Sequence, residues 1–126
     1  MKIKLPIKTV SEANLSHEHW TKKHARHKKQ KEAIRFALAN RVTPDMLPCQ
    51  IKLTRIAPRF LDKHDNLPCS FKFILDSLAS LLVPGKANGQ ADNDKRIQVT
   101  YDQIKGIPHE YAIEIEIISV LADVTL

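Results

Sequence analysis

A single α+β domain over residues 1–126 is predicted by three observations. Four short runs alternate apolar and polar residues at a period of two, two longer runs repeat apolar residues at helical spacing, and their order is β-α-β-α-β-β. A chain of 126 residues is one domain by length and buries a core without staples. That order predicts a mixed sheet of about four strands with two main helices packed against it.

The elements follow in order. Met1–Ile7 alternates Lys2 and Lys4 with Ile3, Leu5 and Ile7, a first strand with one wet face that Pro6 keeps short or at an edge. Thr9–Ser16 reads as a polar loop carrying Asn14, with Ser16 as a simple N-cap. A helix is expected from about His17 to Asn40, with Ala33, Ile34, Ala37 and Leu38 on its apolar stripe and charge over its first half. Pro44 and Pro48 end it, and residues 49–57 alternate as a second strand. Pro58–Asn66 is a connecting loop. Phe71, Ile74, Leu75, Leu78, Leu81 and Leu82 then mark an amphipathic helix over 67–82, with Pro68 tolerated in its first turn. Pro84-Gly85 closes it. Residues 96–104 and 110–118 alternate as third and fourth strands, and the short Lys105–His109 link between them suggests a hairpin.

Composition narrows the function. Residues 1–60 hold 14 Lys and Arg against 4 Asp and Glu, whereas residues 61–126 hold 6 against 10. The net charge of +6 points to a polyanionic partner, and the polarity suits a protein that grips phosphates with one half and binds metal with the other. Cys49 and Cys69 show no metal or redox spacing and read as reduced thiols. No apolar run is long enough to cross a bilayer and no signal-peptide pattern opens the chain, so a cytoplasmic protein without membrane contact is expected. With 3 glycines there is little room for a phosphate-cradling loop, and no nucleophile elbow is present. His17, His19, His24 and His27 lie in a lysine-rich segment without zinc-finger spacing, which disfavours zinc.

Two acidic clusters are the candidate site. Asp62, His64, Asp65 and Asn66 precede the second helix, and Asp92 and Asp94 precede the third strand. Carboxylates suit Mg²⁺, which is held by one or two of them plus substrate phosphates, and convergence of both clusters on one ion is the expectation. Asp65, Lys72 and Asp76 stand at i, i+7 and i+11, one face of an unbroken helix at about 100° per residue. The plain alternatives are that Asp65-Asn66 caps the helix and that Lys72 and Asp76 form a surface pair. Lys22, Lys23, Arg26, Lys28, Lys29, Lys31 and Arg35, with Glu32 the sole acid among them, form a basic helix suited to a DNA backbone or, more plainly, to a solvated face. Trp20, Phe60 and Tyr101 are candidates for stacking on unpaired bases or for ordinary packing.

The run Leu61-Asp62-Lys63-His64-Asp65-Asn66-Leu67, then Ser70-Phe71-Lys72, Asp76-Ser77-Leu78 and Asp92-Asn93-Asp94-Lys95-Arg96-Ile97, resembles the RusA family of Holliday junction resolvases. The resemblance implies that Asp65 is a metal-binding catalytic carboxylate and Lys72 the active-site lysine. It implies that Asp94 supplies the second cluster, with Asp62 and Asp92 as neighbouring metal ligands. Lys63 stands where the family has its first Asp, and Lys72 matches only across a short insertion. Implied with these are Mg²⁺ or Mn²⁺ as cofactor, branched DNA as partner, a homodimer matching the junction's two-fold symmetry, and a phage or prophage setting. Ile117, Ile118, Val120 and Leu121 are the candidate dimer surface. The expected activity is metal-dependent phosphodiester hydrolysis, with His64 as a possible hydrogen-bond partner or proton carrier. The rival is a non-catalytic DNA-binding or architectural protein.

Overall fold

Strand β2 (Cys49–Ala57) has a neighbour on each edge, and its sequence accounts for this. Cys49, Ile51, Leu53 and Ala57 turn one way into the core, while Thr54 and Ile56 are buried on the opposite face. In the computed structural model, which describes residues 1–12, 15, 17–85 and 93–120, β2 joins β1 (Lys2–Leu5), β3 (Ile97–Lys105) and β4 (Ala112–Ser119) in one sheet of order β1-β4-β2-β3. β2 runs parallel to β3, with Cys49 opposite Ile97 and Ala57 opposite Lys105. β4 is antiparallel to both β1 and β2.

Helices α1 (Trp20–Leu38), α2 (Asn66–Ser70) and α3 (Lys72–Leu82) complete the α+β architecture that the sequence predicts. Ile34 and Leu38 of α1 and Ile74, Leu78 and Leu82 of α3 share one core with Ile51, Leu53, Ile113 and Ile115 of the sheet. The other sheet face carries charge, including Lys2 with Glu114 at 3.6 Å and Lys52 with Asp102 at 3.7 Å.

Three local expectations are corrected. α1 begins at Trp20, not His17, because His19 takes the N-cap position, its Nδ1 accepting the Thr21 N–H at 3.2 Å. Ser16, the expected cap, and Asn14 lie outside the described residues. The helix expected over 67–82 is two helices broken at Phe71. The Ser70 hydroxyl donates to the Leu67 carbonyl at 2.7 Å and competes for the acceptor the Phe71 N–H would use, so that N–H turns to Pro68 O at 3.1 Å.

The expected β3–β4 hairpin does not form. The link between them passes over the C-terminal end of β2, where the Gly106 N–H donates to Ala57 O at 2.8 Å, and β4 pairs on the far side of β2. β2 is buried on both faces over Leu53–Ala57, and the backbone groups on both edges of that buried stretch need ladder partners. A Cβ at Gly106 would lie 2.6 Å from Glu110 Oε1, so a larger residue there would displace the Glu110 side chain.

Phe71 holds the helix break on the sheet: it is fully buried, with its ring 6.0 Å from that of Tyr101. Phe71→Ala is expected to lower stability by about 3–5 kcal/mol in urea denaturation; a loss below about 1 kcal/mol would mean the ring anchors nothing.

Candidate nucleic-acid interface and carboxylate site

The acidic stretch begins where β2 ends. Leu61 is held by both ends of the Gln103 amide, which donates to its carbonyl at 2.9 Å and accepts its N–H at 2.7 Å. Asp62 Oδ2 then accepts the N–H groups of Asp65 at 2.8 Å and Asn66 at 3.4 Å, and its carbonyl accepts from Leu67 at 2.8 Å. Asp62 is therefore the residue that organises the entry to α2. Those backbone N–H donors, Asp65 first, hold its carboxyl below the usual range.

Asp65 occupies the N-cap position but makes no capping bond with its side chain. Its carboxylate is exposed and makes no hydrogen bond or ion pair among the described residues. The expected capping pair is thus divided: Asp62 caps, and the Asn66 side chain accepts from the Ser11 hydroxyl at 2.6 Å. Lys72 opens α3 and is exposed, its ammonium 5.6 Å from the Phe73 ring centroid. The spacing of Asp65, Lys72 and Asp76 does not describe one helical face, because the break at Phe71 interrupts the helix. His64 is exposed.

The second cluster lies elsewhere. Asp94 forms a turn ahead of β3, with Oδ1 accepting the Arg96 backbone N–H at 3.0 Å and its Nε at 2.9 Å, and Oδ2 accepting Arg96 Nη2 at 2.8 Å. Asp92 lies outside the described residues. Leu61 sits level with Gln103, near the C-terminal end of β3, whereas Asp94 precedes its first residue, Ile97. At about 3.3 Å per residue the two acidic stretches are on the order of 20 Å apart along the sheet. The expectation that Asp62 and Asp65 share one ion with Asp94 of the same chain is corrected. Two oxygens bound to one Mg²⁺ are only about 3–4 Å apart. Among the described residues, no three His, Cys, Asp or Glu side chains are grouped to hold a metal.

The basic helix packs on α3, where His27 stacks on Phe73 with ring centroids 3.4 Å apart. The loop ahead of it reaches Asn66 through Ser11. Lys22, Lys28, Lys29, Lys31 and Arg35 are exposed and Lys23 half-buried, as a backbone-gripping face requires. His24, His27, Lys28, Lys31 and Arg35 line a surface cavity of about 470 Å³ with Glu32.

Arg26 is corrected from that set. Its Nε and Nη2 donate to Glu12 at 3.1 and 2.6 Å and its Nη1 to Glu18 at 2.6 Å, so it pins α1 to the preceding loop. The expected dimer surface changes as well, because Ile117 is 3% exposed and faces the core, while Ile118 is half exposed. Leu121 lies outside the described residues. Trp20 is exposed and stacked on His19 with ring centroids 5.9 Å apart, Phe60 is exposed, and Tyr101 packs by Phe71.

Sequence reasoning missed two supports. Glu12 is buried against Arg26 and His27; burial alone would raise its pKa, but hydrogen bonds and charge from those partners outweigh it and lower the value. Its signal was the scarcity of acids in the basic half. Arg55, on β2, is buried and donates only to neutral oxygens, Thr9 Oγ1 at 3.1 Å, Thr9 O at 3.4 Å and Arg59 O at 2.7 Å. Burial pushes its pKa down. It ties the Thr9 loop to the approach of the acidic stretch, and nothing in the local sequence marks it as buried.

Cys49 and Cys69 are free thiols, and burial raises the pKa of Cys49. No helix among the described residues is long and apolar enough to cross a membrane. Searches against protein-family models and against curated proteins find no match for this chain.

Because the folded Glu12 titrates below its ordinary value of 4.5, its contribution is complete above that pH and fades as pH falls through the lowered value. Glu12→Gln is expected to cost about 2 kcal/mol at pH 7 in urea denaturation, and the gap to wild type should close in acid. A gap that is the same at pH 7 and pH 3 would remove Glu12 from this role.

Proposed function

We propose that this protein is a metal-dependent endonuclease acting on branched DNA, as its resemblance to RusA resolvases implies. The observation that carries the reading is the Asp65 carboxylate, exposed and released from capping by Asp62, in a chain whose α1 lysines make no ion pair among the described residues. Its donor chemistry fits Mg²⁺ or Mn²⁺: hard oxygens from Asp65 and Asp62, few enough that substrate phosphate completes the shell. Such an ion, when bound, activates water and neutralises charge on the phosphate.

The chain's own residues supply the rest. Lys72 places a compact positive charge where the scissile phosphate approaches Asp65, and the exposed lysines of α1 grip the flanking backbone. Water attacks phosphorus, the P–O bond to the leaving sugar breaks, and the released alkoxide takes a proton. Asp94 is too far from Asp65 of its own chain, so its place in the reaction is across a two-fold dimer, where the partner's Asp94 can approach this chain's Asp65. A non-catalytic DNA-binding role is the second reading, favoured by one observation: Asp62 and Asp94 each have a structural task, in a cap and in an Arg96 pair.

With labelled four-way junctions and Mg²⁺, wild type should cut, chelator should abolish cutting, and Asp65→Asn and Asp94→Asn should each lose at least about 100-fold while still binding. Mixing the two inactive variants should restore cutting in the heterodimer, which reassembles one intact site. Binding by wild type with no metal-dependent product would establish the second reading. Failure of the mixture, with each variant inactive, would rule out the contribution across the dimer.

A further inference from the structure

We infer that the groove between the end of β1 and α1 takes an unpaired nucleobase of the bound DNA. The inference rests on the DNA partner proposed above and names one part of its recognition. Gln30 is 3% exposed, and neither its Nε2 nor its Oε1 has a hydrogen-bond partner. Among the described residues these are the only buried side-chain polar atoms left without one. A buried amide with donor and acceptor both unused is costly to keep, so a partner from outside the chain accounts for it.

The surroundings specify that partner. Gln30 lines a cavity of about 530 Å³ whose walls include Leu5, Ile7, Val10 and Ala33. Apolar walls suit the flat face of a ring, and an amide matches the adjacent donor and acceptor on a base edge, as glutamine does with adenine. No hydrogen bond holds the amide inward, so turning its terminal torsion toward the cavity breaks none. An apolar side chain alone would fill the same walls and leave both amide atoms unsatisfied.

Charge supports a nucleotide. No acidic residue lines the groove, and Lys8 and Lys29 stand on its rim. Lys29 is exposed and makes no ion pair among the described residues, while Lys8 lies 4.5 Å from the Tyr111 ring centroid. The opposite flank of α1 carries the basic cavity of Lys28, Lys31 and Arg35. A strand crossing the helix can thus set phosphates on one flank and lower an unstacked base into the other.

The test uses the full chain in chelator, with a four-way junction carrying 2-aminopurine at the branch point and a fully paired duplex as control. The fluorescence of 2-aminopurine is quenched by stacking, so wild type should raise it on binding. Gln30→Leu should cut that rise about tenfold, with the denaturation midpoint equal to or above that of wild type. Ala33→Phe, which fills the cavity, should do the same, and neither should weaken binding to the paired duplex. No rise with wild type, or a rise that both variants keep, would overturn the inference, and absence of all DNA binding would overturn it together with the function proposed above. If Gln30→Leu does not fold, Ala33→Phe alone decides. Loss of the nuclease reading is distinguishable: absence of Mg²⁺-dependent cutting would leave a fluorescence signal measured without metal intact.

Discussion

The parallel pairing of β2 with β3 constrains every other part of this molecule. Parallel neighbours require a crossover, and α2 and α3 provide it by running back along the sheet from the end of β2 to the start of β3. Whatever enters the crossover lies at the C-terminal end of β2, and whatever leaves it lies at the N-terminal end of β3, at opposite ends of the parallel pair. Asp62, Asp65 and Lys72 are on the entering side, and Asp94 is on the leaving side. Within one chain the two acidic stretches therefore stay apart.

The second constraint is electrostatic. A helix with so many lysines repels itself, and its apolar stripe is narrow. It is held by Ile34 and Leu38 in the core and by Arg26, whose guanidinium is satisfied by Glu12 and Glu18. Spending one cation on that attachment leaves the others free to face outward. The same attachment brings His27 onto Phe73, next to Lys72 in the sequence. The placement of the exposed lysines is thus tied to the buried Glu12 carboxylate.

Much of the fold was legible. Alternation located all four strands, and the apolar spacing of Ile74, Leu75, Leu78 and Leu82 located α3. The break at Phe71 was not, because it depends on a hydroxyl competing for one carbonyl, which periodicity does not register. The order of β4 between β1 and β2 was hidden for a similar reason: a short link favours a hairpin locally, and only the burial of β2 on both faces overrides it. At the candidate site, residue types were legible and their distances were not. The separation of Asp65 from Asp94 follows once β2 and β3 are parallel, because the mouth of the helix and the start of the next strand then lie at opposite strand ends. The cap at the entry to α2 comes from Asp62 and not from the Asp65-Asn66 pair, because the loop places Oδ2 of Asp62 over the first N–H groups of α2.

The central claim is that these carboxylates are remote within one chain. The distance between spin labels at Asp65→Cys and Asp94→Cys, in a Cys69→Ala background diluted with unlabelled protein so that only intrachain pairs are read, tests it most directly. The account requires a separation on the order of 20 Å or more. A distribution centred below about 10 Å would place both carboxylates around one ion in a single chain and contradict it.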